Sequence, residues 1–476
     1  MSPNRRSRRK KVPLPRRGRR VAALDRLLER QPNTEIIEVL FADINGMLRG
    51  KRVGREDFEK VFWPGVSLPG ATALLDSKGM TIDAISNGSA DGDPDMICRP
   101  VAGTAVSVPW AMRPTAQTMV SMYDVKGEPY FADSRHVLER AMQPLASIGL
   151  KPVVAIELEF YLLDGATAET PRPRLGRIPG TSLPQDGPQY NSLDDLADLD
   201  AYFSEVDAAC REQGIPASAA LAEFAPGQYE INLHHIDDPL LACAHALMLK
   251  RVVKSVARRH GMGACFMAKP FAESAGSGMH VHVSLQDSRG RNVFACSDAG
   301  GGGDLPISEE LRHAVGGLAA TMDEGMAIFA PNANSYRRLR PASFVPLTPN
   351  WGINHRRLAL RIPLAAAEDM RVEHRVAGAD ANPYLVMAAV LGGMHHGLTR
   401  RCDPGPMVPA GAVIDEIITL PTRWEQALDA FEHGAVLREY LGAEFARIYA
   451  ICRRTECERF HAEVGSQDYQ WYLRNV

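Results

Sequence analysis

Hydrophobic and polar positions change period along the chain, and those changes mark its elements. An apolar run over residues 36–41 leads to Asn45-Gly46, and a second run follows through Leu48 and Val53. That pattern predicts a hairpin over 36–53 with a tight type I′ turn at Asn45-Gly46. Residues 54–125 are rich in Pro, Gly and Asp, with strand-like runs only at places such as 104–108 and 120–124. A small mixed domain is expected there, with a boundary near residue 126. Ser134 is placed to cap a helix reaching to about Ser147. Beyond it, strands predicted at 153–161, 229–233 and 279–285 alternate with helices. One helix covers 194–213 and ends at Gly214. Another opens at Asp238-Pro239 and stops at Gly261 after the basic turns of Lys254, Arg258 and Arg259. Asn382-Pro383 opens a further helix, and the chain reads as helical from about residue 417 on. Periodicity alone makes this a βα alternation and predicts a parallel sheet.

The longest near-apolar run, residues 384–394, falls far short of the ~20 residues needed to cross a bilayer. The formal charge of −3 hides an asymmetry, because residues 1–20 hold ten basic and no acidic side chains. The remainder carries 44 basic against 57 acidic groups and is acidic. An acidic body argues against nucleic acid as substrate. The basic stretch has Pro and few apolar residues, so a disordered tail is expected over residues 1–20, and no apolar core follows it to make a secretory signal. Eight cysteines are scattered with no C-x-x-C pair, which fits reduced thiols in a cytoplasmic protein. Gly300–Gly303 has no lysine and reads as a flexible loop rather than a phosphate cradle.

The chemistry lies in three of the predicted strands. Residues two apart on a strand share a face. Glu157 and Glu159 therefore point together in VVAIELEFYL, Glu230 and Asn232 in QYEINL, and His280 and His282 in GMHVHVSL. Glu223 lies seven residues before Glu230, and Glu373 sits between Arg371 and Arg375 in RVEHR. A single Glu-x-Glu is usually the wet side of a strand, and a single His-x-His is usually satisfied by local hydrogen bonds. Together they are harder to dismiss, since clustered carboxylates raise each other's pKa and destabilise a fold unless a cation neutralises them. Mostly oxygen ligands with one imidazole suit Mg²⁺ or Mn²⁺ better than zinc. Residues 334–375 add eight arginines, including Arg338, Arg356, Arg361, Arg371 and Arg375. Guanidinium groups beside a metal cluster suit carboxylate and phosphate ligands, which points to phosphoryl transfer from a metal-bound nucleotide.

At this point the sequence resembles the glutamine synthetase family. The carrying segments are AIELEF, the E…PGQYEI pair, KPF…GSGMHVHVSL, NSYRRLRP, RLALRIP, RVEHR and DANPYL, in family order from about residue 36 to about 460. The resemblance implies an α+β fold: a β-grasp domain over 21–125, then a catalytic domain over 126–476 built on a curved antiparallel sheet with flanking helices. It also implies homo-oligomeric double rings of about twelve subunits, with active sites between neighbours. Carried over by position, Glu159, Glu223 and Glu230 are expected to ligate one divalent ion, and Glu157, His280 and Glu373 a second. Arg338 and Arg375 are expected to hold the glutamate carboxylates, with Gly276, Glu159 and His280 lining that pocket. His282, Ser284, Arg356, Arg361 and Arg371 are expected on the ATP side, and Arg338 and Arg356 in catalysis. The implied reaction phosphorylates the γ-carboxylate of glutamate with ATP, and an amine then displaces phosphate.

Departures from the family pattern concern the amine. The ammonium-using enzymes have an Asp in an F-D-G-S-S loop that reaches a neighbour's site; here FWPGVSLPG puts Val66 and Ser67 there. Their flap Glu is replaced by Phe344 in PASFVP, and the Asn before G-S-G-M-H is Ala275. No Tyr lies between Tyr384 and Tyr440 to match the adenylylated residue of some bacterial enzymes. These departures resemble the glutamate–amine ligases of the family, the γ-glutamylpolyamine synthetase branch. An ammonium-using glutamine synthetase and a non-catalytic structural relative are the competing readings; the filled metal-ligand positions speak against the second.

Overall fold

The computed structural model describes residues 17–85, 92–166, 172–186, 190–295, 307–341, 343–414 and 417–476. Its first sheet comprises β1 (Ile36–Ala42), β2 (Leu48–Gly54), β3 (Val66–Pro69), β4 (Asp95–Pro100), β5 (Val106–Ser107) and β6 (Thr115–Tyr123). The order is β2-β1-β6-β4-β3, with β5 paired to β6. Only β1 and β6 run parallel; the other pairs are antiparallel. The expected hairpin is β1–β2, but its turn is not type I′. Five residues, 43–47, separate the strands, and the Asp43 carboxylate accepts the N–H groups of Asn45 (2.8 Å) and Met47 (3.0 Å). This aspartate-closed loop needs a left-handed residue only at Gly46, φ +73°. The run at 104–108 shrinks to β5, and the one at 120–124 belongs to the longer β6.

Residues 17–20 are not a tail but the start of a helix, Arg17–Arg30. Leu24 and Leu27 on it are buried, and once such a helix is nucleated its extension costs little. Residues 1–16 and Gly300–Gly303 lie outside the described residues. Deleting residues 1–16 is expected to leave turnover and melting unchanged. Deletion through Arg30 also removes both leucines and should cost about 4 kcal/mol or more, at 2–5 per buried leucine. Thermal melts and phosphate-release assays on the two truncations would check this.

The second sheet holds β7 (Lys151–Asp164), β8 (Ala217–Ala222), β9 (Gln228–Leu233), β10 (Met262–Cys265), β11 (Met279–Gln286), β12 (Trp351–Ile353), β13 (Leu360–Ile362) and β14 (Val372–His374). Its order is β12-β13-β14-β11-β7-β9-β8, with β10 on β7. Every pair except β12–β13 is antiparallel, so the parallel sheet expected from alternation is wrong. Helices do alternate with strands, but five-residue connections such as 223–227 leave no room for the crossover that parallel pairing requires. Ile156, Leu158, Phe160, Ile231, Val281, Val283 and Val372 line one face and join a single core with the helices Pro239–Arg259 and Pro383–Arg400. The opposite face is thereby free for polar groups.

Two other expectations shift by a residue or two. Asp133, not Ser134, caps the helix Ser134–Ser147, because its carboxylate accepts the Arg135 N–H. The helix expected over 194–213 is two, Leu193–Asp198 and Asp200–Gln213, broken where Leu199 turns inward, with Gly214 closing the second. No helix among the described residues is long and apolar enough to cross a membrane.

The two sheets are joined by polar groups that reach across. Arg453, fully buried on the helix Ala443–Ala462, donates to Asn45 Oδ1 (2.7 Å), the Ile44 carbonyl (3.1 Å) and Glu456 (2.7 Å). Asn382 donates to the Asp43 carbonyl and to Ser134 Oγ. Arg453→Met should cost about 3 kcal/mol or more, since it leaves the Asn45 and Ile44 oxygens without their donor and takes a charged partner from the half-buried Glu456. A fall in the denaturant midpoint of that size is the expected readout.

Candidate active site

Strand register gathers the charged groups. Glu159 lies directly opposite Glu230, and Glu157 lies opposite Asn232 on one side and His280 on the other. His282 is opposite Glu373, which is opposite Arg361. All therefore project from the face the helices leave open. Glu223, just past β8, closes the group. Oxygen atoms of Glu159, Glu223 and Glu230 lie within 4.8 Å of one another. Ligand atoms of Glu157, Glu230 and His280 form a second such set, and those of Glu157, His282 and Glu373 a third. The first expected set thus comes together as such, whereas Glu157, His280 and Glu373 fall across two sets that share Glu157, with Glu230 joining one and His282 the other.

Contacts within the group are specific. His280 Nδ1 is 3.2 Å from Glu157 and 3.7 Å from Glu373, and its Nε2 is 3.6 Å from Glu159. His282 Nδ1 accepts from Arg371 Nε at 3.2 Å, while its Nε2 lies 3.0 Å from Glu157. Glu373 is held between Arg375 and Arg361, the latter at 2.7 Å. Arg338 is buried and donates to the Val376 carbonyl at 2.8 Å. Ser284 follows on the same strand face, half-buried. Arg356 is exposed between β12 and β13, within electrostatic reach of Glu223.

Charge is compensated on one side only. Burial raises Glu373, but Arg375 leads the opposing charges and brings it down to about 2. Burial likewise opposes ionisation of Glu157, yet hydrogen bonds with His280 and His282 hold it below the usual carboxylate range. Glu223 is pushed up to about 7 by burial and then by Glu159. Glu230 is pushed well up by burial and by Glu157 and Glu159. The Glu159–Glu223–Glu230 set is three carboxylates with no adequate cation, a donor set that suits a hard divalent ion. Buried Nε groups of Arg338, Arg361 and Arg375 lack hydrogen-bond partners, which suits anionic ligands.

Sequence reasoning misses Gln228 and Gly278 on this face. Gln228 donates to Glu159 (3.3 Å) and to the Gly276 carbonyl (3.1 Å), and Gly278 N–H donates to Glu159 at 2.7 Å. A Cβ at Gly278 would sit 2.8 Å from Arg338 Nη2 and 3.0 Å from His280 Nε2, so any larger residue would push these two site groups out of place. The signals are present: Gln228 shares the alternation of Glu230 and Asn232, and Gly278 is the second glycine of G-S-G-M-H.

The residues expected to line an amine pocket are divided. Phe344 is exposed, in a left-handed conformation (φ +59°), with its ring 5.1 Å from that of Phe224. Phe224 follows Glu223 directly and lies 6.3 Å from the Tyr190 ring, so an aromatic cluster borders the carboxylates. Val66 and Ser67 sit on β3 in the first sheet instead. Val66 is buried against that sheet's core and Ser67 faces outward, its carbonyl accepting from Lys51.

A β-grasp sheet followed by a curved, mostly antiparallel sheet with acids, imidazoles and arginines on its open face defines a two-domain α+β enzyme for anionic substrates. The sequence model of the glutamine synthetase catalytic domain matches residues 131–472. The γ-glutamylputrescine synthetase PuuA of Escherichia coli is 41% identical over 453 residues, covering 95% of this chain and 94% of its own. The glutamate–isopropylamine ligase of a Pseudomonas species is 33% identical over 446 residues, covering 93% and 95%. Among solved structures, the GmaS–ADP complex superposes with a TM-score of 0.78 at 26% identity, covering 94% of this chain and 99% of that one. The chain belongs to the glutamine synthetase family and is a ligase of that family.

Proposed function

We propose that the protein joins the γ-carboxylate of glutamate to an organic amine at the expense of ATP, through a γ-glutamyl phosphate, with putrescine or another polyamine as the first candidate. The observation that carries this reading is the aromatic pair Phe224–Phe344 beside Glu223, at the position where the resemblance places an ammonium enzyme's flap glutamate. The relatives named for putrescine and isopropylamine support it.

Glu159, Glu223 and Glu230 would hold one Mg²⁺ or Mn²⁺, and Glu157, His280 and Glu373 another. Such ions supply charge neutralisation on transferring phosphate. Arg338 and Arg375, with the Gly276–Gly278 backbone, Glu159 and His280, would seat glutamate. Arg338 also faces the charge that develops on the attacked carboxyl. Arg356 and Arg361 would steady the phosphates, and His282, Ser284 and Arg371 the nucleotide. Arg356, exposed in the structure, suits a role completed only when ATP is bound. Residues 21–125 would form the β-grasp domain and 126–476 the catalytic domain of a cytoplasmic homo-oligomer, a double ring in which Val66 and Ser67 of each subunit serve a neighbour's amine pocket. A phosphate-release assay with ATP, Mg²⁺ or Mn²⁺, glutamate and a panel of amines tests the reading. Amine-dependent turnover is expected; none with any amine or with ammonium would overturn the reading in favour of a non-catalytic structural relative.

A further inference from the structure

Among the described residues, one further cluster of metal-ligating side chains stands outside the sheet, on two helices. Cys457 and His461 are one turn apart on the helix Ala443–Ala462 and share a face. Glu425, in the first turn of the helix Trp424–His433, packs against them. We infer that Cys457, His461 and Glu425 form a separate binding site for Zn²⁺ or a similarly thiophilic divalent ion.

The geometry carries the inference. Cys457 Sγ is 3.8 Å from His461 Nδ1, and His461 Nδ1 is 3.0 Å from a Glu425 oxygen. One ligand atom from each residue falls within 4.8 Å of the other two. For a tetrahedral zinc with Zn–S of about 2.3 Å and Zn–N or Zn–O of about 2.0–2.2 Å, neighbouring ligands lie roughly 3.6 Å apart for S···N and roughly 3.4 Å for N···O. The observed spacings bracket those values, so small rotamer changes would seat the ion.

The three groups do not resemble the oxygen-rich cluster on the sheet. A thiol, an imidazole and one carboxylate favour zinc over Mg²⁺ or Mn²⁺. Cys457 is a free, buried thiol, whereas the side chains of Glu425 and His461 are about half exposed, at 50% and 52%. The fourth coordination position would therefore face outward, where Glu425 and His461 line a cavity of about 870 Å³ together with Arg337, Arg340 and Phe460. Burial and then Glu425 push the thiol up to about 11, so the free group keeps its proton. On binding, the S–H bond breaks, an S–metal bond forms and the proton leaves to solvent.

Cobalt(II) reports this site without interference from the carboxylates, because only a thiolate ligand gives a sulfur-to-cobalt charge-transfer band. Full-length protein in Mg²⁺ is titrated with Co²⁺ and then with Zn²⁺. The expected result is a thiolate band that saturates at one cobalt per chain and is abolished by zinc. Cys457→Ser should lose the band, and His461→Ala should weaken cobalt binding by more than the roughly 10–100-fold that loss of an outer partner costs. Both should keep Mg²⁺-supported turnover. If Cys457→Ser does not assemble, Glu425→Gln with His461→Ala gives the same reading from the other two ligands. No thiolate band in the wild type, a band unchanged in Cys457→Ser, or cobalt affinity unchanged in both other variants would show that the trio only ties two helices together by hydrogen bonds.

Discussion

Glu230→Gln is expected to lower amine-dependent phosphate release by at least about 10²–10³-fold, the scale on which one group stabilising developing charge matters. The same substitution should raise the melting temperature of metal-free protein. Glu230 is buried directly across the strand pair from Glu159 and close to Glu157 and Glu223. Its pKa lies well above that of an unfolded glutamate, as does that of Glu223, at about 7. A carboxyl whose folded pKa is raised destabilises the fold above its unfolded pKa, where the unfolded chain is ionised and the folded chain must take up a proton or carry repelled charge. That cost is absent below about pH 4.5 and grows as pH rises towards 7. Glutamine removes it while keeping the shape, so a gain of about 1 kcal/mol or more is expected at pH 7–8 and none at pH 4. Mn²⁺ should reverse the ranking by stabilising the wild type more than the variant. Calorimetry with and without the ion, beside activity, separates this from a simple folding defect. A variant that is both active and unshifted in melting would remove the two-metal reading.

How much of the molecule is legible in its sequence depends on range. The period-2 runs give β7, β9 and β11 their faces, and so put Glu157 with Glu159, Glu230 with Asn232, and His280 with His282. Register is not legible, because which residue faces Glu157 is decided by the pairing of distant strands. Alternation alone misreads the direction of pairing, and only the family resemblance corrects it. Local chemistry also wins where pattern rules are coarse: Asp43 closes the first hairpin, and Asp133 rather than Ser134 caps its helix. Phe224 and Gly278 escape because their importance comes from what stands beside them in space, Phe344 in one case and Arg338 in the other.

An organic amine is expected to be preferred to ammonium at equal concentration, and Phe344→Glu to move that preference towards ammonium by about tenfold or more. An alkylammonium has a pKa near that of lysine, about 10.4, and must lose a proton before it attacks. A site for ammonium places carboxylates around the cation to attract and deprotonate it. Where the resemblance places such a flap carboxylate, this chain has Phe344, its ring against that of Phe224, the residue after Glu223, and both rings are largely exposed. Such a wall excludes water, accepts methylene groups and offers a cation–π face of about 0.5–2 kcal/mol, but it supplies no base. The small ammonium ion gains little from it, whereas each buried methylene of a longer amine adds about 0.8 kcal/mol. Phe344→Leu is the control, since it keeps an apolar side chain in the same left-handed backbone without adding charge. It should weaken amine binding through KM and leave ammonium as poor a substrate as before. Steady-state kcat/KM values for ammonium, putrescine and a small monoamine decide the matter: ammonium above every amine in the wild type restores plain glutamine synthesis, and a Phe344→Glu ratio equal to that of Phe344→Leu removes the aromatic wall from the explanation.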